Sequence, residues 1–132
     1  MSGIVSSART PLPGVVVSIL DEIRYPDMVA EVADFLLRLD ESEWSAVIGL
    51  YRGALHVSLR TTQRDTNAGE ILQGVLGSDH AGGHDMIAGG RVDLGLNGAD
   101  WRARAESIRA KLLAAIGVEP SEPTTLADEQ SE

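Results

Sequence analysis

The chain contains no cysteine among its 132 residues. Disulfide bonds and thiolate metal sites are therefore excluded, and a reducing compartment is the default expectation. Aromatic residues are scarce, with one Phe, two Tyr and two Trp, so platforms for stacking nucleobases are few. No apolar run approaches the ~20 residues of a membrane span, and residues 1–14 lack the apolar segment of a signal peptide. We therefore expect a cytoplasmic protein with no membrane association.

Basic residues are outnumbered, with 11 Lys and Arg against 20 Asp and Glu and a net charge of −9. This balance argues against a general nucleic-acid-binding surface. Five of the acids, and none of the bases, fall within residues 117–132. The remainder of the chain is only mildly acidic and can still hold a phosphate locally, because backbone amides and one or two arginines suffice for that.

The length fits one compact domain, and a hydrophobic content of 43% provides for a core. Residues 1–13 contain Ser, Thr and two prolines and have the character of a linker or lead-in. Residues 118–132 are polar, acidic and proline-containing, which predicts a flexible tail. The folded domain is therefore expected over residues 14–117.

The first half of this domain predicts a strand, a helix and a hairpin. Val15–Leu20 is a β-branched run typical of a buried strand, and Asp27 is placed to cap the helix that follows. Helical spacing gives that helix one apolar stripe, made of Met28, Val29, Val32, Phe35, Leu36 and Leu39. Ala46–Tyr51 and Ala54–Arg60 then predict two strands joined by the two-residue link Arg52-Gly53.

The second half predicts a short helix, a glycine-rich loop, a strand and a longer helix. Asp65 or Thr66 is expected to cap the short helix, the loop covers Gly77–Gly90, and the strand covers Arg91–Leu96. The last helix ends at Gly117, and its apolar positions are Trp101, Ala105, Ile108, Leu112 and Ile116. The order β-α-β-β-α-loop-β-α predicts an α/β fold, a single small domain with a mixed sheet flanked by helices.

The glycine-rich loop is the segment with the clearest chemistry. Gly82 and Gly83 can adopt backbone angles that let consecutive amides converge on an anion. A helix beginning in Asp85–Ala88 would add the partial positive charge of its N-terminus, and His84 would donate a further hydrogen bond. Spacing alone is a weak signal, because glycine-rich loops more often serve geometry than phosphate binding.

Gly82–Gly90 reads Gly-Gly-His-Asp-Met-Ile-Ala-Gly-Gly and resembles the Gly-Gly-His-x-x-Ala-Ala-Gly signature of the DHH-associated domain. Val57–Thr62 is similar to the family's strand ending in Ser-x-Arg-Ser, and Asp65–Gly69 falls where the family begins a short helix. The similarity runs from about Val15 to Leu96. That domain closes the C-terminus of DHH phosphoesterases, which include RecJ-like exonucleases, oligoribonuclease/phosphatases and cyclic dinucleotide phosphodiesterases.

The resemblance implies a substrate-phosphate site, with no catalytic residue among its members. The implied phosphate contacts are Arg60, Gly82, Gly83 and His84, with Ser58 and Asp85 as supporting residues. Strand alternation agrees in part, because it places the apolar Leu55, Val57 and Leu59 on one side and the polar His56, Ser58 and Arg60 on the other. Ile87 departs from the alanine that the family often has, and it leaves the Gly-Gly-His part intact.

The metal-binding half of a DHH enzyme has no counterpart in this sequence. Family members hold two metals, usually manganese, with an Asp-His-His motif and further aspartates in an N-terminal domain, and two-metal hydrolysis needs such ligands. The nearest match, Asp79-His80-Ala81, falls in the wrong domain. We therefore expect no cofactor in this chain, no phosphodiesterase activity from it alone, and a DHH catalytic domain as partner in cis or in trans.

Two other interpretations remain open. The chain is alternatively a stand-alone interaction or scaffold domain that keeps the fold without a ligand. Less favoured is a hydrolase with zinc bound by His56, His80 and His84, because Gly82 and Gly83 disfavour the helix that would align two of them. The sequence does not choose among single-stranded DNA, RNA fragments, cyclic dinucleotides, phosphoadenosine phosphate and polyphosphate as ligand.

Overall fold

The computed structural model describes residues 14–39 and 42–117. The predicted linker, residues 1–13, and the predicted tail, residues 118–132, lie outside the described residues. The helices and strands, in chain order, are β1 (Val15–Glu22), α1 (Met28–Leu39), β2 (Trp44–Tyr51), β3 (Ala54–Thr61), α2 (Ala68–Leu76), β4 (Ala81–Gly83), β5 (Ile87–Asp93), a 3-10 helix (Gly95–Asp100) and α3 (Trp101–Gly117).

The five strands form one sheet in the order β1-β2-β3-β5-β4. β1 runs parallel to β2, and the other neighbours are antiparallel, so the predicted mixed α/β sheet is confirmed. The β2–β3 hairpin is confirmed as well, because Tyr51 pairs with Ala54. Both linking residues have positive φ, 50° at Arg52 and 76° at Gly53, as a two-residue type I′ turn requires.

Each face of the sheet has its own hydrophobic cluster. On the covered face, the core side chains of β3 (Leu55, Val57, Leu59) pack with Leu72 of α2 and Leu112 of α3. On the opposite face, Val29, Ala33 and Leu36 of α1 pack on Val16 and Leu20 of β1 and Val47 of β2. We call this second face the open face, since α1 covers β2 and β3 while Gly82, Ile87, Gly89 and Arg91 on β4 and β5 are exposed.

Two details of the helices differ from the sequence prediction. The cap of α2 is Asn67, not Asp65 or Thr66, and its side chain accepts a hydrogen bond from the Glu70 amide at 3.0 Å. The apolar stripe of α1 is only partly buried, because Phe35 and Leu39 are 50% and 57% exposed. Their positions point away from the side that contacts the sheet. The apolar positions of α3 are confirmed, with Ala105, Ile108, Leu112 and Ile116 buried.

The largest correction concerns the glycine-rich segment. It forms the β4–β5 hairpin, and no helix begins in Asp85–Ala88. β5 starts at Ile87, earlier than the predicted Arg91, because Ile87–Asp93 pairs with β3 along its whole length. The backbone of β5 is therefore paired on both sides, with β3 and with β4. A helix N-terminus after Gly83 does not contribute to the site.

Candidate phosphate-binding cleft on the open face

A row of small residues crosses three strands on the open face. Ser58 of β3 pairs with Gly89 of β5, and Gly89 pairs with Gly82 of β4. A Cβ atom added at Gly82 would meet nothing within 4 Å, and one at Gly89 would meet only the Val57 carbonyl oxygen at 3.8 Å. We call these three residues the glycine floor. The fold leaves room for side chains at Gly82 and Gly89, so bare backbone here is not a requirement of packing.

Ser58 and Gly89 of the glycine floor line an open cleft of about 270 Å³, and Gly82 is the next residue along the same row. One wall is formed by Pro26 and Asp27, just before α1, and by Ala30 in its first turn, and the base is formed by β3 and β5. The cleft is lined by His56, Ser58 and Arg60, the polar side chains at alternate positions of β3. The predicted polar side of this strand therefore faces a ligand-sized space.

Arg60 reaches this cleft but is already held by the protein. Its Nε donates to Asp34 Oδ1 at 2.9 Å, and its Nη1 donates to the carbonyls of Leu59 and Ala88 at 3.2 and 3.3 Å. The side chain is only 12% exposed. Among the residues that the structure describes, none accepts a hydrogen bond from Nη2. The Nε and Nη1 groups of Arg60 thus donate to protein acceptors, and its Nη2 group remains available to a ligand.

Gly83 differs from its neighbour Gly82. It has a φ of 157°, and an added Cβ would lie 2.3 Å from the Ile87 carbonyl oxygen and 2.5 Å from Ala88 Cα. Its backbone also touches α2, because a Cβ at Gly69 would lie 2.9 Å from the Gly83 carbonyl oxygen. Gly83 is therefore needed for close packing of the hairpin, and its replacement by a larger residue should disturb the fold.

The loop at the tip of the hairpin is fixed by α2. The amides of Ala68 and Gly69 donate to the carbonyls of Asp85 and His84 at 2.8 and 3.2 Å, so the N-terminal N–H groups of α2 meet protein carbonyls. The His84 amide donates to Ile87 O at 2.7 Å, while its imidazole is exposed. What remains for a ligand is therefore the His84 ring, beside the Gly82 end of the glycine floor.

His56 is a cleft residue that the sequence reasoning considered only as a metal ligand. Its ring meets Tyr51 edge-on, with centroids 6.0 Å apart. Burial lowers the pKa of the His56 imidazole below its usual value, and Arg91 lowers it further, while Asp93 and Asp27 act in the opposite direction. The signal for its placement was the alternation that puts His56 on the same side of β3 as Ser58 and Arg60.

The described residues bring together no three His, Cys, Asp or Glu side chains that could hold a metal ion. In particular, the three-histidine zinc site finds no support in this part of the chain. Within the same residues, no helix is both long and apolar enough to span a membrane.

Comparison with known proteins assigns the chain to a family. The sequence profile of the DHHA1 domain matches residues 12–116. An uncharacterized protein of Methanocaldococcus jannaschii is 32% identical over 124 residues, which cover 89% of this chain but 25% of that protein. The chain thus spans about a quarter of the length of this curated relative.

Solved structures share the fold at lower identity. RecJ of Thermus thermophilus in complex with Mn²⁺ has a TM-score of 0.54 and 22% identity, over 89% of this chain and 16% of RecJ. An exopolyphosphatase-related protein of Bacteroides fragilis has a TM-score of 0.56 and 11% identity, over 86% and 34%. The C-Ala domain of Aquifex aeolicus alanyl-tRNA synthetase has a TM-score of 0.50 and 15% identity, over 71% and 89%. With a profile match that covers most of its length, the chain belongs to the DHHA1 family, the DHH-associated domains.

Proposed function

We propose that this chain is the substrate-binding domain of a DHH-type phosphoesterase, and that its open-face cleft binds a phosphate group of a nucleotide or short oligonucleotide. Hydrolysis would be carried out by a DHH catalytic domain in cis or in trans. In this proposal the manganese implied for such enzymes is held by that catalytic domain.

The glycine floor is the observation that carries the proposal. Glycine in the interior of a strand weakens it and often marks a place where a ligand approaches the backbone closely. Gly82 and Gly89 have free space above them, so packing does not require glycine at these positions. Access of a ligand to the backbone would explain it. Arg60 and His84 lie at the same end of this surface and can donate hydrogen bonds to phosphate oxygens, which are the strong, charge-assisted kind.

The expected affinity is low. Asp34 already pairs with Arg60 at 2.9 Å, so an incoming phosphate finds a partly neutralised cation. The cleft is also open to water, which screens the contact. We expect a dissociation constant on the order of millimolar for a nucleoside monophosphate, or ~4 kcal/mol. Binding should weaken as salt is raised, because exposed charge contacts are screened.

An amide NMR titration with a nucleoside 5′-monophosphate tests the proposal, with the unphosphorylated nucleoside as reference. Shifts should appear at Gly82, at His84 and around Arg60, and they should require the phosphate. Arg60→Ala should weaken binding by ~1–3 kcal/mol, the usual value for a hydrogen bond to a charged group. Equal shifts with nucleoside and nucleotide, or shifts confined to α3, would favour the scaffold interpretation.

Gly82→Val and Gly74→Val are a matched pair of variants. Neither position has any atom within 4 Å of a built Cβ, so both substitutions should leave the fold intact. Gly82→Val fills the cleft floor and should abolish binding. Gly74 is an exposed position of α2 outside the cleft, so Gly74→Val should bind like the unmodified chain. Equal binding by both variants would remove the glycine floor from the site.

A further inference from the structure

The open face has a second pair of polar residues beyond the glycine floor, at the edge of the cleft. His56 and Arg91 are paired neighbours on β3 and β5, two residues from Ser58 and Gly89 on the side away from Arg60. We propose that His56 and Arg91 form a second anion-contact point, so that the cleft binds ligands with two phosphate groups placed on either side of the glycine floor. This inference rests on the proposed function, since the first phosphate is the one at Arg60.

The spacing between Arg60 and His56 fits neighbouring phosphates of a nucleotide chain. Arg60 and His56 are four residues apart on one strand, which separates their Cα atoms by about 14 Å at ~3.4 Å per residue. Both side chains rise from the same face of the sheet, and the Arg60 guanidinium is held beside Ala88 by its hydrogen bond to the Ala88 carbonyl. A separation of this order suits two phosphates joined through one nucleoside, each contacted from one side, and a single phosphate does not bridge it.

Both contact points contain an arginine that is paired with an aspartate. Arg60 is held by Asp34, and Arg91 Nε donates to Asp93 Oδ1 at 3.0 Å. The second pair is exposed on both sides, at 63% and 72%, so it costs little to rearrange. Arg91 can thus turn toward a ligand that lies over Gly89.

An anion between His56 and Arg91 would favour protonation of His56. Two cations directly opposite each other on neighbouring strands destabilise a sheet, and burial, together with Arg91, lowers the pKa of His56, so the neutral imidazole is favoured in the free protein. The groups that face His56 are Arg91 and Asp93 of β5, Asp27 before α1, and Tyr51 of β2. A phosphate between His56 and Arg91 would favour the charged imidazolium.

The sign of the pH dependence follows from this arrangement. A bound anion raises the pKa of His56 above its value in the free protein. The extra affinity is then fully present below the free-protein pKa and is lost as pH rises through the bound-state pKa. We therefore expect tighter binding toward pH 5 and weaker binding toward pH 8.

The test compares dTpdT with dTpdTpdT. Both contain only phosphodiesters, which lack the second ionisation near pH 6 of a monoester, so the ligand charge stays constant across the titration. If the protein contacted only one phosphate at a time, the two equivalent phosphates of dTpdTpdT would still give it an apparent affinity about twofold higher than that of dTpdT. With a second contact point the advantage should be about tenfold, as expected for one added charge-assisted hydrogen bond. The His56 ring resonances should report a raised pKa only with dTpdTpdT, with His80 as internal reference.

Arg91→Gln and Arg102→Gln provide the matched comparison. Arg102 also pairs with an exposed aspartate, Asp21, at 3.0 Å, but it lies on α3, outside the cleft. Arg91→Gln and His56→Gln should each reduce the advantage of dTpdTpdT to about twofold, and Arg102→Gln should not change it. An advantage of about twofold in the unmodified chain, with dTpdT still bound at Arg60, overturns the second contact point alone. No shift with either oligonucleotide overturns the proposed function as well.

Discussion

The two faces of the sheet use the same strand for different purposes. On the covered face, β3 contributes Leu55, Val57 and Leu59 to a core closed by two helices. On the open face, the alternate residues His56, Ser58 and Arg60 line a cleft. The covered face supplies stability through buried apolar area, and the open face leaves the Gly82–Gly89 backbone accessible. Substitutions at adjacent positions of β3 should therefore affect either the proposed binding or the stability of the fold, but not both.

The largest effect should come from the covered face. Leu59 is fully buried, so Leu59→Ala removes apolar contacts and leaves a cavity. We expect the free energy of unfolding to fall by about 2–5 kcal/mol. Its neighbour Ser58→Ala should change that free energy by less than ~1 kcal/mol because it deletes one hydroxyl. Urea unfolding of both variants gives the measurement, and equal losses would show that the two faces are not independent.

The second comparison concerns the adjacent glycines of the hairpin. Gly83→Ala brings a Cβ within 2.5 Å of two backbone atoms, so the β4–β5 turn must shift. A loss of about 1–3 kcal/mol is expected, typical of overpacking. Gly82→Ala places its methyl group in open space and should leave the melting temperature unchanged. Thermal unfolding followed by circular dichroism distinguishes the two, and an equal loss in both variants would contradict this assignment.

Asp34→Asn should change the open face in the opposite direction, toward stronger phosphate binding. The substitution removes the carboxylate that neutralises Arg60 while keeping the size of the side chain. Phosphate should then bind about 3–10-fold tighter, equivalent to ~1 kcal/mol. The carboxylate is half exposed, so the stability loss should stay below ~1 kcal/mol. The 5′-monophosphate titration measures the affinity, and weaker binding would mean that Asp34 acts chiefly by orienting Arg60.

The smallest expected effect is a pH dependence of stability that comes from His56. Its pKa in the folded protein is lowered, so the unfolded chain binds more protons, and stability falls as pH drops below the unfolded-state value of about 6.5. His56→Gln should make the unfolding free energy less sensitive to pH between 7 and 5. Parallel urea titrations at several pH values, with His80→Gln as the exposed control, provide the test.

Local patterns predicted much of the fold and part of the cleft. Alternation along β3 located both of its faces, and Arg52-Gly53 identified the hairpin. The pairing of Arg60 with Asp34 joins residues 26 apart in sequence, and no local pattern reports it. The sequence predicts a loop followed by a helix around Gly82 and Gly83, where the structure has a hairpin. Its longer strand, β5, is specified by pairing with β3, which ends more than 20 residues earlier in the sequence.

The hydrogen bonds from Ala68 and Gly69 to the carbonyls of Asp85 and His84 have a consequence for the thermodynamics of recognition. Ordering a flexible loop at an interface consumes conformational entropy, which weakens binding. Here α2 has already fixed the hairpin tip during folding, so a ligand meets a preorganised surface. Association should therefore show little entropic penalty from the protein and no slow conformational phase, and differences between ligands should appear mainly in their dissociation rates.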